Sequence, residues 1–194
     1  MQSGLGIGDK TEDVVSMFTK GAKKLKAAGI LIYIPPRVVE EFLSFFENKD
    51  QSFIHEFLSV VVTKAPETHS QTLSAQLFYK LIEDVRLRNY KGLRIGEEEI
   101  ELAATHMLKK EALDKKTFQQ EVGGFIKKFR ERYRNATRFG FLDSLADLDL
   151  IVLAKEQDGY LVSSDEGVLI WGRLFGVKEL SPAAFGKRLV EALV

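Results

Sequence analysis

The stretch "FLDSLADLDLIVLAKEQDGYLVSSDEG", Phe141–Gly167, decides the fold. Take Asp143 as the zero of a helical wheel; at about 100° per residue, Asp147 lies about 40° away, on the same face. Leu145, Leu148, Leu150, Ile151, Val152, Leu153 and Ala154 cover nearly the whole circumference, which predicts a buried helix. Asp143, Asp147 and Asp149 therefore sit on an element with little exposed surface. Unpaired buried carboxylates are unfavourable, so they call for cations nearby. The run Tyr160–Ser164 that follows reads as a buried strand with Asp165 at its carboxyl end, where ligands bind in open parallel sheets. An oxygen-only cluster suits Mg²⁺ or Mn²⁺ and not Zn²⁺. One or two such ions would activate water and stabilise charge on a phosphodiester. The same residues also have a plainer reading. Asp143 would cap the helix, Asp147 and Asp149 would pair with lysines or arginines of the helical insertion over residues 76–138, and Asp165 would serve a turn. Spacing alone leaves both readings open.

Working outward, strands and helices alternate. A helical pattern runs from Thr11, with Val14, Val15, Phe18, Ala22 and Leu25 on its stripe and Gly29 as its stop. "ILIYI", Ile30–Ile34, is apolar throughout and predicts a strand covered on both faces. Pro35-Pro36 ends it and opens the helix "RVVEEFLSFFE". A third helical stripe uses Phe53, Ile54, Phe57, Leu58 and Val61. Near the end, "GVKEL" reads as a short strand, and "SPAAFGKRLVEALV" as a closing helix capped by Ser181 with Pro182 at its first position. This alternation predicts an α/β fold with a parallel sheet flanked by helices.

From about Gln76 to Arg138 no strand pattern occurs. "QLFYKLIEDVRLRN" and "EEEIELAATHMLKKEALDKK" read as helical segments, and Phe118, Val122, Phe125, Ile126, Phe129 and Tyr133 form the stripe of another. The expected organisation is an α/β body over residues 1–75 and 139–194, with 76–138 as a protruding helical insertion.

The totals bound the class. The 194 residues suit one domain or one domain with a large insertion. Hydrophobic residues make up 45% and charged residues 29%, ordinary for a globular protein. No apolar run approaches the roughly 18 residues of a membrane span, and no secretory leader pattern opens the chain, so a cytoplasmic location is expected. Cysteine is absent, which excludes disulfides and thiolate zinc sites. His55, His69 and His106 have no metal-ligand spacing. The 28 basic and 28 acidic residues cancel. Yet "KKFRERYRNATR", Lys127–Arg138, holds six basic residues and one acid, a local field fit for phosphates. The bland alternative is a solvated helix face, or salt bridges to "EEEIE".

Together, "FLDS", "ADLDLIVLAKEQDGYLVSSDEGVLIW" and "VRLRNYKGLRIGEEEIELA" resemble the HARP family, the homologs of Aquifex RNase P, which are protein-only ribonucleases P with a PIN domain. The resemblance spans nearly the whole chain and is strongest over residues 85–103 and 127–172. It implies a metal-dependent endonuclease that removes the 5′ leader of precursor tRNA with two Mg²⁺- or Mn²⁺-type ions. It places Asp143, Asp147 and Asp165 on family metal-binding acids, and Glu41 on the catalytic acid of the helix after the second strand. Asp149, about 200° from Asp147 on the wheel, is ranked as an outer residue, and Glu166 as an outer ligand. The insertion would grip tRNA through Lys127, Lys128, Arg130, Arg132, Arg134 and Arg138, by shape and phosphate contacts. The resemblance also implies a homo-oligomer, dimers formed through the α/β body and assembling into a larger ring or star; the lack of an apolar span predicts no membrane partner.

The chain departs from the PIN pattern at its start. PIN domains open with a strand ending in a metal-binding aspartate, whereas "MQSGLGIGDK" has no such strand, so that first strand is expected to be missing from this chain. Two alternatives stay open at this point: a non-catalytic RNA-binding or scaffold protein of the same fold, and a toxin-type PIN ribonuclease acting on other RNAs.

Overall fold

The computed structural model describes residues 11–69, 71–108, 110–138, 141–142 and 144–193; of Arg138 only the backbone is described. The opening decapeptide and Asp143 lie outside that set, and with them the expectation of a missing first strand. The described chain forms two compact units. One comprises the residues up to Leu73 with those from Leu142 onward, the other Ser74–Phe141.

The first unit contains α1 (Thr11–Ala27), β1 (Tyr33–Ile34), α2 (Pro36–Ser44), α3 (Ser52–Val60), β2 (Val62–Thr63), α6 (Leu145–Glu156), β3 (Tyr160–Val162), α7 (Glu166–Leu174), β4 (Lys178–Leu180) and α8 (Pro182–Glu191). The second contains α4 (Ala75–Leu108) and α5 (Lys115–Arg138). The strands are parallel and flanked by helices, as the sequence predicts. They are shorter than expected, and among the described residues they form two pairs. β1 pairs with β2, Tyr33 opposite Val62; β3 pairs with β4, Leu161 opposite Glu179.

The way the helices end explains the short strands. At the end of α1, Gly29 takes φ 81°, its N–H donates to the Lys26 carbonyl, and the Ile30 N–H donates to the Leu25 carbonyl. This is a Schellman cap. It engages the Ile30 backbone in the helix end, so the strand starts only at Tyr33. The expectation that Ile30–Ile34 is covered on both faces is therefore corrected: Ile30 is 54% and Leu31 45% exposed. The same cap closes α6 at Asp158 (φ 44°), with Gly159 donating to Ala154, and closes α7 at Gly176 (φ 75°), with Val177 donating to Gly172. Each of these caps hands the chain to a strand.

With so little sheet, helices carry the core. Val15, Ala22 and Leu25 of α1 pack with Phe57 and Val60 of α3, Val61 after it, and Leu189 of α8. Phe57 meets the rings of Phe18 at 5.3 Å and Phe42 at 4.8 Å between centroids. α8 is capped as predicted, the Ser181 hydroxyl accepting from the Ala184 N–H.

In the second unit, α4 and α5 form an antiparallel helical hairpin, His106 lying by Glu121, Glu99 by Arg132 and Gly92 by Tyr133. α4 is one unbroken helix where the sequence suggests two segments. Gly92 and Gly96 do not stop it, because the Tyr133 and Phe129 rings lie against them.

A side chain at Gly21 has no room. A β-carbon there would stand 2.8 Å from the Leu189 carbonyl oxygen and 2.9 Å from its β-carbon. Gly21→Ala should therefore destabilise the first unit by about 1–3 kcal/mol despite the better helix propensity of alanine. Thermal denaturation checks this: a variant melting at or above the wild type would contradict the close α1–α8 approach.

Candidate functional site

The acidic segment folds as a helix, a strand and a second helix. Ser144, not Asp143, caps α6, its hydroxyl accepting the Ala146 N–H at 3.1 Å. The helix thus begins two residues later than the wheel assumed. Asp147 lies half-buried in the first turn of α6, where the positive helix end favours a carboxylate. Asp165 sits beyond the carboxyl end of β3 and caps α7, its Oδ1 accepting the Val168 N–H at 3.0 Å. Glu166 follows in the first turn of α7, exposed. Glu41 stands exposed on α2. α6 packs against both α2 and α7, so Glu41 on α2, Asp147 on α6 and Asp165 at the cap of α7 belong to three helices linked by contact. Among the described residues no three acids or histidines converge closely enough to hold an ion. Asp143 lies outside the described residues.

The contact the structure does make here is the ion pair of the plainer reading, with a different partner from the one expected. Asp149 is 7% exposed, and its Oδ2 accepts a hydrogen bond from Arg37 Nη1 at 2.6 Å. The partner is on α2 of the same unit, not in the helical hairpin. A signal for it was present. Arg37 stands in the first turn of α2, where the helix dipole disfavours a cation, so a carboxylate partner was to be sought.

The basic run on α5 divides in two. Arg132 is bound, with Nη1 donating to Glu99 Oε1 at 2.6 Å and Nη2 to Glu98 Oε2 at 2.5 Å. Lys128 lies 3.9 Å from the same Glu99 oxygen. For these two, pairing with "EEEIE" is what the structure contains. Lys127, Arg130 and Arg134 are exposed. Arg130 and Arg134 line a cavity of about 340 Å³ with Arg88, Phe129, Tyr133 and Thr137. Three guanidinium groups beside two aromatic rings make a site suited to phosphate and to flat, electron-rich groups.

The Arg132 hydrogen bond is the main cause holding Glu98 below its ordinary pKa of 4.5, and the hydrogen bonds to Glu99 and Glu98 raise that of Arg132. A lowered carboxylate pKa contributes stability above 4.5 that is lost as pH falls through the folded-state value. The hairpin should therefore melt at lower temperature as the pH drops below that point. Arg132→Met should melt lower at neutral pH and show a shallower acid dependence, measurable by circular dichroism. Equal acid dependence in the two proteins would refute the assignment.

Short parallel strands between helices, with an acid beyond a strand's carboxyl end, are the layout of an open α/β protein with a site at that end. Residues 3–194 match the family model described as PINc domain ribonuclease, and the chain belongs to that family. It is 37% identical over 191 residues to the RNA-free ribonuclease P of Hyperthermus butylicus, covering 95% of this chain and 79% of that one. The Pyrococcus abyssi protein of the same name is 34% identical over 187 residues, covering 96% and 84%. That of Thermodesulfovibrio yellowstonii is 30% identical over 186 residues, covering 96% and 86%. The family read from the acidic segment and the "VRLRNYKGLRIGEEEIELA" block is thus borne out along nearly the whole chain.

Proposed function

We propose that the chain is a ribonuclease P that needs no RNA subunit and removes the 5′ leader of precursor tRNA in a divalent-metal-dependent reaction. The near-full-length relation to RNA-free ribonuclease P proteins carries this reading. In it, water adds to phosphorus and the bond to the leader's 3′ oxygen breaks. The leader keeps a 3′-hydroxyl and the tRNA a 5′-phosphate.

The donor chemistry suits a hard cation. Asp147, Asp165 and Glu41 offer carboxylate oxygens, and the chain has no cysteine to draw a softer metal. Asp143, Asp147 and Asp165 would hold Mg²⁺ or Mn²⁺, with Glu41 and Glu166 at the margin. Such ions, when bound, supply Lewis-acid activation of water and charge neutralisation at the phosphate. The capping bond from the Val168 N–H orients Asp165. Lys127, Arg130 and Arg134 would take tRNA phosphates. Self-assembly belongs to the same proposal, and the exposed Phe78, Tyr79, Ile82, Tyr90, Leu93 and Ile100 of α4 add an apolar surface on the hairpin to the one expected on the α/β body.

Asp165→Asn removes the charge but keeps a capping oxygen. Single-turnover cleavage of precursor tRNA should fall at least about 100-fold while the melting temperature holds, since the loss is of ion-borne charge stabilisation. Equal cleavage by variant and wild type would exclude Asp165 from the site.

Arg130→Ala and Arg134→Ala should each weaken precursor-tRNA binding and lower the slope of log affinity against log salt by about one. Filter binding across a salt series checks this. Unchanged slopes would remove these arginines from the RNA face.

A further inference from the structure

We propose that Arg37 is a positioning residue whose ion pair with Asp149 sets the rotation of α6, and through it the direction in which Asp147 faces. The inference rests on the reading above that Asp147 helps hold a divalent ion.

An amphipathic helix is held at one rotation because only one stripe is apolar. α6 is apolar on nearly every side. Ala146, Ile151, Val152 and Leu153 are buried, and these positions do not share one face. Apolar packing alone therefore distinguishes poorly between rotational settings of this helix. A directional pair on a buried carboxylate does distinguish them, because a small turn of the helix takes Asp149 away from Arg37, whose side chain is 54% exposed, and leaves a buried carboxylate without its cation.

Asp149 supplies that pair. Its side chain is 10% exposed, and Arg37 Nη1 meets it at 2.6 Å across 112 residues of sequence. Arg37 is itself well placed to be an anchor. It follows Pro35 and Pro36, which fix the backbone at the start of α2, and Pro35 is fully buried. Asp147 is two residues before Asp149, about 200° round the same helix, so any rotation at one is a rotation at the other. Glu41 lies one turn beyond Arg37 on the same face of α2, within about 40°. One ion pair thus ties the helix of Glu41 to the helix of Asp147, without Arg37 touching the reacting atoms.

The test uses the full chain and Mn²⁺ alone as probe, read by electron paramagnetic resonance without RNA. Arg37→Met and Asp149→Asn should each weaken Mn²⁺ binding on the order of tenfold, as loss of a residue supporting a ligand does. The Mg²⁺ needed for half-maximal cleavage should rise in step. Precursor-tRNA binding in Ca²⁺ should stay within about twofold, because neither Arg37 nor Asp149 is among the residues proposed to contact phosphates. Arg37→Lys, which keeps the charge, should recover part of the Mn²⁺ affinity. If Arg37→Met does not fold, Asp149→Asn and Arg37→Lys carry the same comparison. Wild-type Mn²⁺ affinity in the folded variants, even with a lower melting temperature, makes the pair merely structural and overturns the proposal. Wild type that binds Mn²⁺ without cleaving precursor tRNA overturns the assigned function but leaves the Arg37 effect readable. Wild type that binds no Mn²⁺ overturns both.

Discussion

A carboxylate folded into an apolar interior must keep a cation beside it, and both units of this molecule are organised around that constraint. In the first, Asp149 of α6 holds Arg37 of α2. In the second, Glu99 of α4, 4% exposed, holds Arg132 of α5. Neither pair is only a source of stability: with Arg37 54% and Arg132 37% exposed, solvent screens part of the attraction. Both act as registers. Apolar surfaces slide and rotate over one another at small cost, whereas a charged hydrogen bond in a low-dielectric site tolerates little displacement.

That matters here because the sheet is too small to impose geometry. Two- and three-residue strands contribute few ladder bonds. Precision passes to helix ends and helix contacts instead. The caps at Gly29, Asp158 and Gly176 fix how each helix releases the chain into a strand. Asp158 is the one of the three with a β-carbon, and its carboxylate meets Lys178 at 2.9 Å, at the start of the strand that pairs with β3. Asp165 then converts the end of β3 into the start of α7 through its own side chain.

Much of this was legible in the sequence because it is local. Ser181-Pro182, the "GYLVSS" strand and the helical period of Phe118–Tyr133 each carry their own signal within a few residues. What was not legible is non-local. β2 reads as the tail of the helix stripe that ends at Val61, since two residues hold no strand period. Ile30 and Leu31 read as buried because apolar character does not reveal that a helix cap has already taken the Ile30 N–H. The Arg37–Asp149 pair was hidden for the same reason, the partners being far apart in sequence. The acids of the candidate site were visible as types and spacings. The contacts of Asp149 and the capping role of Asp165 required the fold.

The basic run shows how a period can sort residues that composition lumps together. Residues three or four apart share a helix face, and those two apart do not. Lys128 and Arg132 form one row, Lys127, Arg130 and Arg134 another. The first row meets Glu98 and Glu99, whose own spacing on α4 puts them at the contact with α5. Its charge is largely cancelled where it stands. The second row is exposed, and its Arg130 and Arg134 border, with Arg88, a cavity walled by Phe129 and Tyr133. A chain with no net charge can therefore still present a positive face, because the acids that balance it are bound to the other row. The glutamates that first read as a competing explanation for the basic run are what leave Arg130 and Arg134 as its outward-facing part.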